Sequence, residues 1–490
     1  MILRNQEYRY GSAAFATEHQ IAKAGMFKQH PNSVLVGFHG RKPIFYHGMG
    51  GLLLIAGARG GKGRDVLAYN VCHGICQSSM LVLDPKGELR RISQNQTPDE
   101  KEIIDWNPYG LDGIPQNRIN PVDYVRIDSQ SIVSDTKMFC ENMIASSGSA
   151  NSDYFEQRAR EIAEALILAL TEIHGTLTIP DLYRAINLIP IGNEEWLNIA
   201  YAMSKSRFPI ARRVEEEIAS SRDNPSNGFQ GIMGELFKAF ACYSDPALMA
   251  SVSPPFDVSL EVLCSSSKKF QFYMMPPAEC IPIWAPAIRS FFTGAMIYKS
   301  RSPQAPQQTW ILDEAAQLGA FPLIVRLFTY GAGIGIRPWA VYQSHFQMQE
   351  TAPNAQTIIP SSAALQSYFA VRDIETASML SRKLGVQTLE YEDEHRQLQR
   401  KKAKQEAMRA LIFGGDPFAA GLEMAHQSRA METPEKQQRL LMTADEVLNM
   451  PSNRQLIFTD DVSNPIYAER KPYYEQRFMQ GRFSPNPYHS

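Results

Sequence analysis

The sequence predicts an α/β protein whose parallel sheet is interrupted by an all-helical domain. Short apolar runs that end in loop residues, such as "GGLLLIAG" and "SSMLVLDPKGE", recur near the start of the chain. They are almost absent from residues 129–249 and return afterwards. Continuous apolar runs of strand length are typical of strands that are buried on both faces of a parallel sheet.

The first part of the sheet is predicted at residues 46–128, after a mixed N-terminal arm at 1–45. "GGLLLIAG" predicts a buried strand, and a helix is expected over Lys62–Gln77. "SSMLVLDPKGE" and "KEIIDWNP" then predict two further strands. A strand, a helix and a strand at this spacing form a βαβ unit.

Residues 129–249 have helical periodicity throughout, as in "DYFEQRAREIAEALILALTEIH" and "GFQGIMGELFKAFAC". Almost no strand candidate lies among them, so we expect an inserted all-α domain. Strand-like runs resume with "KKFQFYMMPP", "QQTWILDEAAQLG", "RPWAVYQS" and "LQSYFAVRD". We therefore predict that residues 250–475 complete the sheet and that residues 476–490 form a flexible tail.

The composition excludes a general attraction to nucleic acid or anionic lipid. The 490 residues are 44% hydrophobic and carry a formal net charge of -2, so any such contact must come from local patches. The six cysteines are scattered and lack the paired spacing of a zinc site, which predicts a reduced, cytosolic protein. No run of about 20 apolar residues and no cleavable leader is visible, so a soluble protein is expected.

The stretch "AGARGGKGRD" nearly forms a phosphate-binding loop of the pattern GxxxxGK[ST]. It departs from the pattern at Ala56 and at Gly63, where a hydroxyl that contacts Mg²⁺ is usual. Its other glycines still permit a tight turn, and a lysine adds a positive charge beside the phosphates. We assign nucleotide binding to Gly57, Gly60, Gly61, Lys62, Gly63 and Arg64.

Two other interpretations of this loop remain open. One is a glycine turn that arises by chance. The other is a dinucleotide site, for which Asp84 would be the acid that binds a ribose. In that case the glycines are out of register and Lys62 has no function.

A second motif, "TWILDEAAQLG", supports the nucleotide interpretation. It predicts a buried strand that delivers Asp313 and Glu314 at its C-terminal end. Asp313 would anchor the magnesium ion through water, and Glu314 would polarise the attacking water molecule. The alternative is an ordinary strand that ends in solvated acids.

Several blocks, in order, resemble the type IV secretion coupling proteins, the TraG-like ATPases of conjugation. The blocks include "YGSAAFATEHQIAKAGMF", "GARGGKG", "LVLDPKGEL", "DYFEQRAREI", "ILDEAAQLG", "VYQS" and "ERKPYYE". The resemblance implies a RecA-like P-loop NTPase domain with an inserted all-α domain. It also implies a hexamer that uses ATP and Mg²⁺ to deliver DNA, expected to be single-stranded, or protein to a secretion channel.

The resemblance also assigns residues and partners. Lys62 matches the phosphate lysine, Asp313 and Glu314 match the acidic pair, and Gln343 matches the polar residue at the end of the next strand. Arg372 lies where we expect an arginine that reaches a neighbouring subunit. The implied partners are type IV secretion channel components and relaxosome or effector substrates, at the cytoplasmic face of a bacterial inner membrane.

Each of these assignments has an alternative. Gln343 could simply close a strand, and Arg372 could form a surface ion pair with Asp373 or Glu375. The chain begins where the transmembrane helices of the family end, which is expected either for a trimmed protein or for a soluble member. Two functional classes remain: a translocating motor, and a receptor or adaptor whose nucleotide site supports assembly.

Overall fold

The computed structural model of the chain describes residues 11–95, 100–146, 150–223, 227–391 and 435–486, with isolated positions between 402 and 409. The chain divides into two compact units. The smaller unit takes its residues from 1–17, 371–451 and 463–466. The larger unit contains residues 18–370, 452–462 and 467–490.

The larger unit is organised around a mixed sheet. The strands of the described residues, in chain order, are β1 (Val34–His39), β2 (Lys42–Tyr46), β3 (Leu52–Ala56), β4 (Ser79–Leu83), β5 (Glu102–Trp106), β6 (Phe270–Met274), β7 (Gln308–Leu312), β8 (Ile336–Tyr342), β9 (Leu365–Phe369), β10 (Val386–Tyr391), β11 (Glu435–Leu440), β12 (Arg454–Thr459) and β13 (Val462–Glu469). Eleven of them form one sheet in the order β2-β1-β13-β12-β9-β3-β8-β7-β4-β6-β5.

Seven neighbouring strands of this sheet, from β9 to β5, are parallel. Every residue of β3, β4, β7 and β8 is buried, as the continuous apolar runs predict. The carboxyl ends of parallel strands meet at one edge of a sheet, which is where ligands bind in such folds. The predicted α/β class is confirmed.

The helices of the described residues cover the sheet and form the insertion. They are α1 (Glu18–Lys23), α2 (Ala68–Val71), α3 (Glu88–Ile92), α4 (Ile132–Met143), α5 (Ala150–His174), α6 (Ile179–Leu188), α7 (Glu194–Lys205), α8 (Pro209–Asp223), α9 (Asn227–Phe240), α10 (Pro246–Ser251), α11 (Ile281–Arg301), α12 (Pro322–Ile334), α13 (Ala355–Ser362), α14 (Ile374–Leu384) and α15 (Ala444–Leu448). Helices α4 to α10 lie between β5 and β6 in the chain, so the predicted helical insertion is present. Its boundaries at 129 and 249 stay predictions.

The helix that follows the glycine loop is shorter than predicted. A π-helical turn at Gly63–Leu67 leads into α2, and the helix ends where Cys72 adopts an extended backbone conformation. Gly74 then has a φ of 73°, which a helix does not allow. The predicted helix over Lys62–Gln77 is therefore not continuous. Every residue of α2 is buried, so the segment is apolar because it is enclosed by the fold.

Helix α11 is the one helix among the described residues that is long and apolar enough to cross a membrane. Together with the preceding turn this apolar segment covers residues 278–301, and 78% of its most apolar part is buried within the fold. The expectation that no segment reaches this length and hydropathy is therefore wrong.

The smaller unit contains the antiparallel pair β10-β11 together with α14 and α15. The Ser381 hydroxyl donates a hydrogen bond to the carbonyl oxygen of Met442 at 2.6 Å, and Leu380 and Val447 are buried. Thr443 and Glu446 form a capping box at the start of α15.

The C-terminal segment is packed as far as Asn486, although residues 476–490 were expected to form a flexible tail. Met479 is fully buried, and the Phe478 ring stacks on Tyr69 with 6.1 Å between centroids. The Ser484 amide donates to the Ile92 carbonyl oxygen at 2.8 Å. These apolar and backbone contacts explain why the segment does not remain free in solution.

Candidate active site

The glycine loop after β3 forms a tight, left-handed turn. Gly61 has a φ of 86°, a conformation that residues with a side chain rarely adopt. A Cβ atom at Gly60 would lie 2.8 Å from the carbonyl oxygen of Gly57 and 2.9 Å from the side chain of Ala370. Both positions therefore require glycine, which keeps the backbone of the loop accessible to a ligand.

This loop borders a cavity of about 510 Å³. Its other walls come from the turn after β4 and from the end of β7, and its lining residues are Arg59, Gly60, Gly61, Lys62, Gly63, Arg64, Asp84, Pro85, Lys86, Glu88, Leu89, Ala278, Ile281, Asp313, Glu314 and Gln317. The volume lies within the range of small-molecule sites, about 300–1,000 Å³. Gly57 does not line the cavity, but its carbonyl oxygen accepts the Gly60 amide at 2.9 Å and closes the turn.

Lys62 contacts both predicted acidic residues. Its Nζ lies 2.8 Å from Asp313 Oδ1 and also forms an ion pair with Glu314 Oε1. Burial acts to lower the pKa of Lys62, but the charges of Asp313 and Glu314 outweigh burial and raise it. Burial raises the pKa of Asp313, and Lys62 opposes this effect. Lys62 is thus positively charged and lies at the C-terminal end of β7.

Glu314 has a strained backbone. Its φ of 59° and ψ of 43° are left-handed, which is uncommon for a residue other than glycine. Such strain persists only where the surrounding structure fixes it, and it concentrates at functional sites. Here it turns the carboxylate away from the line of β7 and into contact with Lys62.

Gln343, at the end of β8, fixes the other oxygen of Glu314. Its Nε2 donates a hydrogen bond to Glu314 Oε2 at 2.8 Å. Its own backbone amide donates to Oε1 of Gln347 at 2.8 Å. Strands β7 and β8 are neighbours in the sheet, so the sequence-predicted residues Lys62, Asp313, Glu314 and Gln343 are brought together.

Asp84 follows β4, the strand next to β7, lines the same cavity and is 3% exposed. It accepts the backbone amide of Arg90 at 2.8 Å, which holds the turn into α3. Burial raises the pKa of Asp84 to about 7, although the Arg90 and Leu89 amides oppose this effect. Asp84 is therefore a structural acid of the turn that also faces the site.

Arg470 lies in the block "ERKPYYE" but is assigned no role from the sequence, and it contacts the glycine loop. Its Nη1 donates to the carbonyl oxygen of Gly60 at 2.6 Å and to Asp65 Oδ2 at 2.8 Å. Its guanidinium lies 3.8 Å from the ring centroid of Phe369 and bonds to the backbone of Ser452. Burial lowers the pKa of Arg470 to about 10, so it remains charged at neutral pH.

Two further residues predicted from the sequence, Arg64 and Arg372, form no ion pair with Asp313 or Glu314 among the described residues. Arg64 lines the cavity, but its Nε pairs with Asp65 at 2.5 Å. Arg372 is exposed and belongs to the smaller unit. Within the described part of the chain it forms no ion pair with Asp373 or Glu375, since the Asp373 side chain instead caps α14 by accepting the Thr376 amide.

The site fits a nucleotide with magnesium better than it fits a free metal ion. Glycines leave backbone groups open to phosphate, and Lys62 adds a cation beside them. Among the described residues, no group of three histidine, cysteine, aspartate or glutamate side chains is arranged to hold a metal. Magnesium normally uses one or two carboxylates and completes its shell with phosphates and water, and Asp313 and Glu314 can serve in this way.

The chain is similar in sequence to proteins of conjugal transfer. The chain is similar to the probable conjugal transfer protein TraG of Sinorhizobium fredii, with 25% identity over 358 residues, 68% of this chain and 53% of the relative. It is 22% identical to the conjugal transfer protein TraG of Rhizobium radiobacter over 431 residues, 83% of this chain and 60% of that protein. The chain thus spans little more than half the length of these curated relatives.

Solved structures of the bacterial conjugative coupling protein TrwB have the same fold. The trigonal form of TrwBdeltaN70 with sulphate aligns with a TM-score of 0.63 at 14% identity, covering 95% of this chain and 97% of TrwB. The structure of TrwB in complex with ADP and Mg²⁺ aligns with a TM-score of 0.62 at 14% identity over 94% of this chain and 97% of TrwB. The fold is therefore a RecA-like P-loop NTPase domain with an inserted all-α domain.

The family comparison extends over nearly the whole chain. Residues 6–414 and 422–490 match the family described as Type IV secretory system Conjugative DNA transfer. The loop, the acidic strand end and the helical insertion all lie within the first matched range. The chain therefore belongs to the type IV secretory system conjugative DNA transfer family, whose members include coupling proteins.

Proposed function

We propose that this protein binds ATP with Mg²⁺ in the cavity beside the glycine loop and hydrolyses it to drive conjugative transfer. The observation that carries the proposal is the contact of Lys62 with Asp313 and Glu314, together with the hydrogen bond from Gln343 to Glu314. A related protein of this fold, TrwB, has been solved in complex with ADP and Mg²⁺ and with a non-hydrolysable ATP analogue.

Each side chain has a distinct role in this proposal. Lys62 exchanges its carboxylate partners for the phosphates, since its raised pKa keeps it charged. Glu314 then accepts a proton from the attacking water or orients that water. Gln343 holds the Glu314 carboxylate in position and responds to the terminal phosphate through the same hydrogen bond. Asp313 would hold magnesium through water, and the ion would supply positive charge beside the phosphates.

The proposed cellular role follows from the family. The protein acts as an ATP-driven coupling protein that brings DNA or protein substrates to a type IV secretion channel. We propose that it does so as a hexamer at the cytoplasmic face of the inner membrane. The helical insertion, α4 to α10, contributes the recognition surface, because the candidate active-site side chains lie outside it.

Steady-state ATP hydrolysis with and without single-stranded DNA tests this function. We expect hydrolysis that DNA stimulates, and we expect Lys62→Ala to lose both ATP binding and hydrolysis. Lys268→Ala is the matched control, because this lysine pairs with Glu102 at the surface, outside both the cavity and the helical insertion. Full activity of Lys62→Ala would contradict the site, whereas ATP binding without DNA-stimulated hydrolysis would favour the receptor or adaptor role.

A further inference from the structure

The glycine loop lacks the hydroxyl that usually contacts magnesium, because Gly63 stands where serine or threonine is common. The structure shows what lies in the direction of the missing side chain. A Cβ atom built on Gly63 would have the carboxylate of Glu88 as its nearest neighbour, with Oε2 at 3.8 Å and Oε1 at 4.0 Å. These are ordinary van der Waals distances, so the carboxylate adjoins the space that a hydroxyl would enter.

Glu88 is held in this position from two sides. It is the first residue of α3 and follows Gly87, whose φ of 65° turns the chain towards the loop. The Asp84 side chain accepts the Arg90 amide and fixes this turn. At the carboxylate itself, Oε1 accepts a hydrogen bond from Asn486 Nδ2 at 2.6 Å. The orientation of the side chain is therefore determined by its contacts.

Glu88 shares its cavity with carboxylates from two segments of the chain. The acidic side chains that line it are Asp84, Glu88, Asp313 and Glu314, and the basic ones are Arg59, Lys62, Arg64 and Lys86. Burial is the main cause of the raised pKa of Asp84, and the negative charges of Asp313 and Glu88 add to it. Glu88 and Asp313 thus come from different segments of the chain, but both lie close enough to Asp84 to affect its pKa.

We propose that Glu88 supplies, directly or through one water molecule, the oxygen that a hydroxyl at position 63 supplies to nucleotide-bound magnesium in other phosphate loops. This inference rests on the proposed function, because it concerns the same nucleotide site. Asn486 acts as a positioning residue that holds the carboxylate towards Gly63.

The test measures nucleotide affinity and not turnover. A fluorescent N-methylanthraniloyl ADP is titrated into the 490-residue protein in EDTA and in Mg²⁺, and the dissociation constant in EDTA divided by that in Mg²⁺ gives the contribution of magnesium. Glu88→Gln should lower this ratio by about 10-fold, the lower end of the loss seen when a supporting metal contact is removed. Affinity in EDTA should not change, because phosphate binding by the loop and Lys62 is retained.

A rescue variant separates a magnesium role from a structural one. Gly63→Ser in the Glu88→Gln background should restore the magnesium effect, since a Cβ fits at this position. Glu102→Gln is the matched control, because this carboxylate pairs with Lys268 at the surface and lies outside the cavity. If Glu88→Gln does not fold, Asn486→Ala is used instead, and it should lower the ratio because Glu88 is retained but its carboxylate is no longer held towards Gly63.

An unchanged ratio in Glu88→Gln, or in Asn486→Ala where that variant is used, would overturn the inference. Loss of binding in EDTA as well as in Mg²⁺ would also overturn it, since Glu88 would then support the nucleotide and not the metal. Failure of the wild-type protein to bind the analogue under either condition would instead contradict the proposed function. These outcomes distinguish the two proposals.

Discussion

Replacing Arg470 with methionine should destabilise the larger unit more than any exposed arginine replacement does. Arg470 and Asp65 are each only 2% exposed at the side chain and lie 2.8 Å apart. Methionine keeps much of the apolar stem of arginine but removes the cation. The variant therefore leaves the Asp65 carboxylate buried with Arg64 as its remaining partner.

The size of the effect follows from these contacts. Removing one partner of a buried ion pair costs about 3–5 kcal/mol. Arg64 continues to pair with Asp65, but its side chain is 39% exposed, so it offsets only part of this cost. The lost contact of the guanidinium with the Phe369 ring adds about 0.5–2 kcal/mol. We expect the free energy of unfolding to fall by about 3–5 kcal/mol, because such contributions are not additive.

Urea denaturation followed by tryptophan fluorescence measures this change, because all five tryptophans lie in the larger unit. The matched control is Arg454→Met, since Arg454 is 33% exposed and pairs with Glu469 at 3.4 Å. That exposed pair should contribute no more than about 1 kcal/mol. Combining Asp65→Asn with Arg470→Met should recover part of the loss. An Arg470→Met protein as stable as Arg454→Met, or a double variant with no recovery, would refute the reasoning.

Three further predictions concern the candidate site. Glu314→Gln should bind ATP but hydrolyse it about 10²–10⁴-fold more slowly, measured by phosphate release, and wild-type turnover would place catalysis elsewhere. The pKa of Asp84 is about 7 in the folded state, against 3.8 ordinarily, so the unfolded chain loses this proton at lower pH than the folded protein does. The free energy of unfolding should therefore fall by roughly 1.4 kcal/mol per pH unit as the pH rises from 3.8 to about 7. Urea titrations of nucleotide-free protein in EDTA should show that Asp84→Asn removes this decline, and an unchanged slope would contradict it. Mixed oligomers of Arg372→Ala and Lys62→Ala should recover ATP hydrolysis that each variant alone lacks, and normal hydrolysis by Arg372→Ala alone would exclude an action across subunits.

The sequence allowed the centre of the site to be predicted because its residues follow buried strands. Lys62, Asp313 and Gln343 come from distant parts of the chain, but each lies just beyond a continuous apolar run. In a parallel sheet those positions meet at one edge, so strand pattern alone brings them close together. Their contacts in the structure agree with that geometry, while their roles in catalysis stay predictions.

The supporting residues could not be predicted in the same way. Arg470 lies 410 residues from Gly60 and belongs to a polar stretch, "ERKPYYE", that has no strand or helix periodicity. Glu88 and Asn486 meet through a C-terminal segment whose composition predicts a frayed tail. Side-chain hydrogen bonds between irregular segments depend on tertiary packing, which leaves no periodic signal in a sequence. For the same reason, the left-handed backbone of Glu314 was not foreseen.

The position of Arg470 near the C-terminus has a consequence for the time at which the site is assembled during synthesis. The ribosome completes Gly60 and Asp65 about 400 residues before it adds the arginine that binds them. At bacterial and eukaryotic rates of about 5–20 residues per second, this interval is roughly 20 to 80 s. Throughout it the nascent glycine loop lacks its buried cation, and Glu88 lacks Asn486 for a slightly shorter interval. Chains that terminate after Glu314 but before Arg470 therefore contain the complete glycine loop and acidic strand but lack the contacts of Arg470 with the loop.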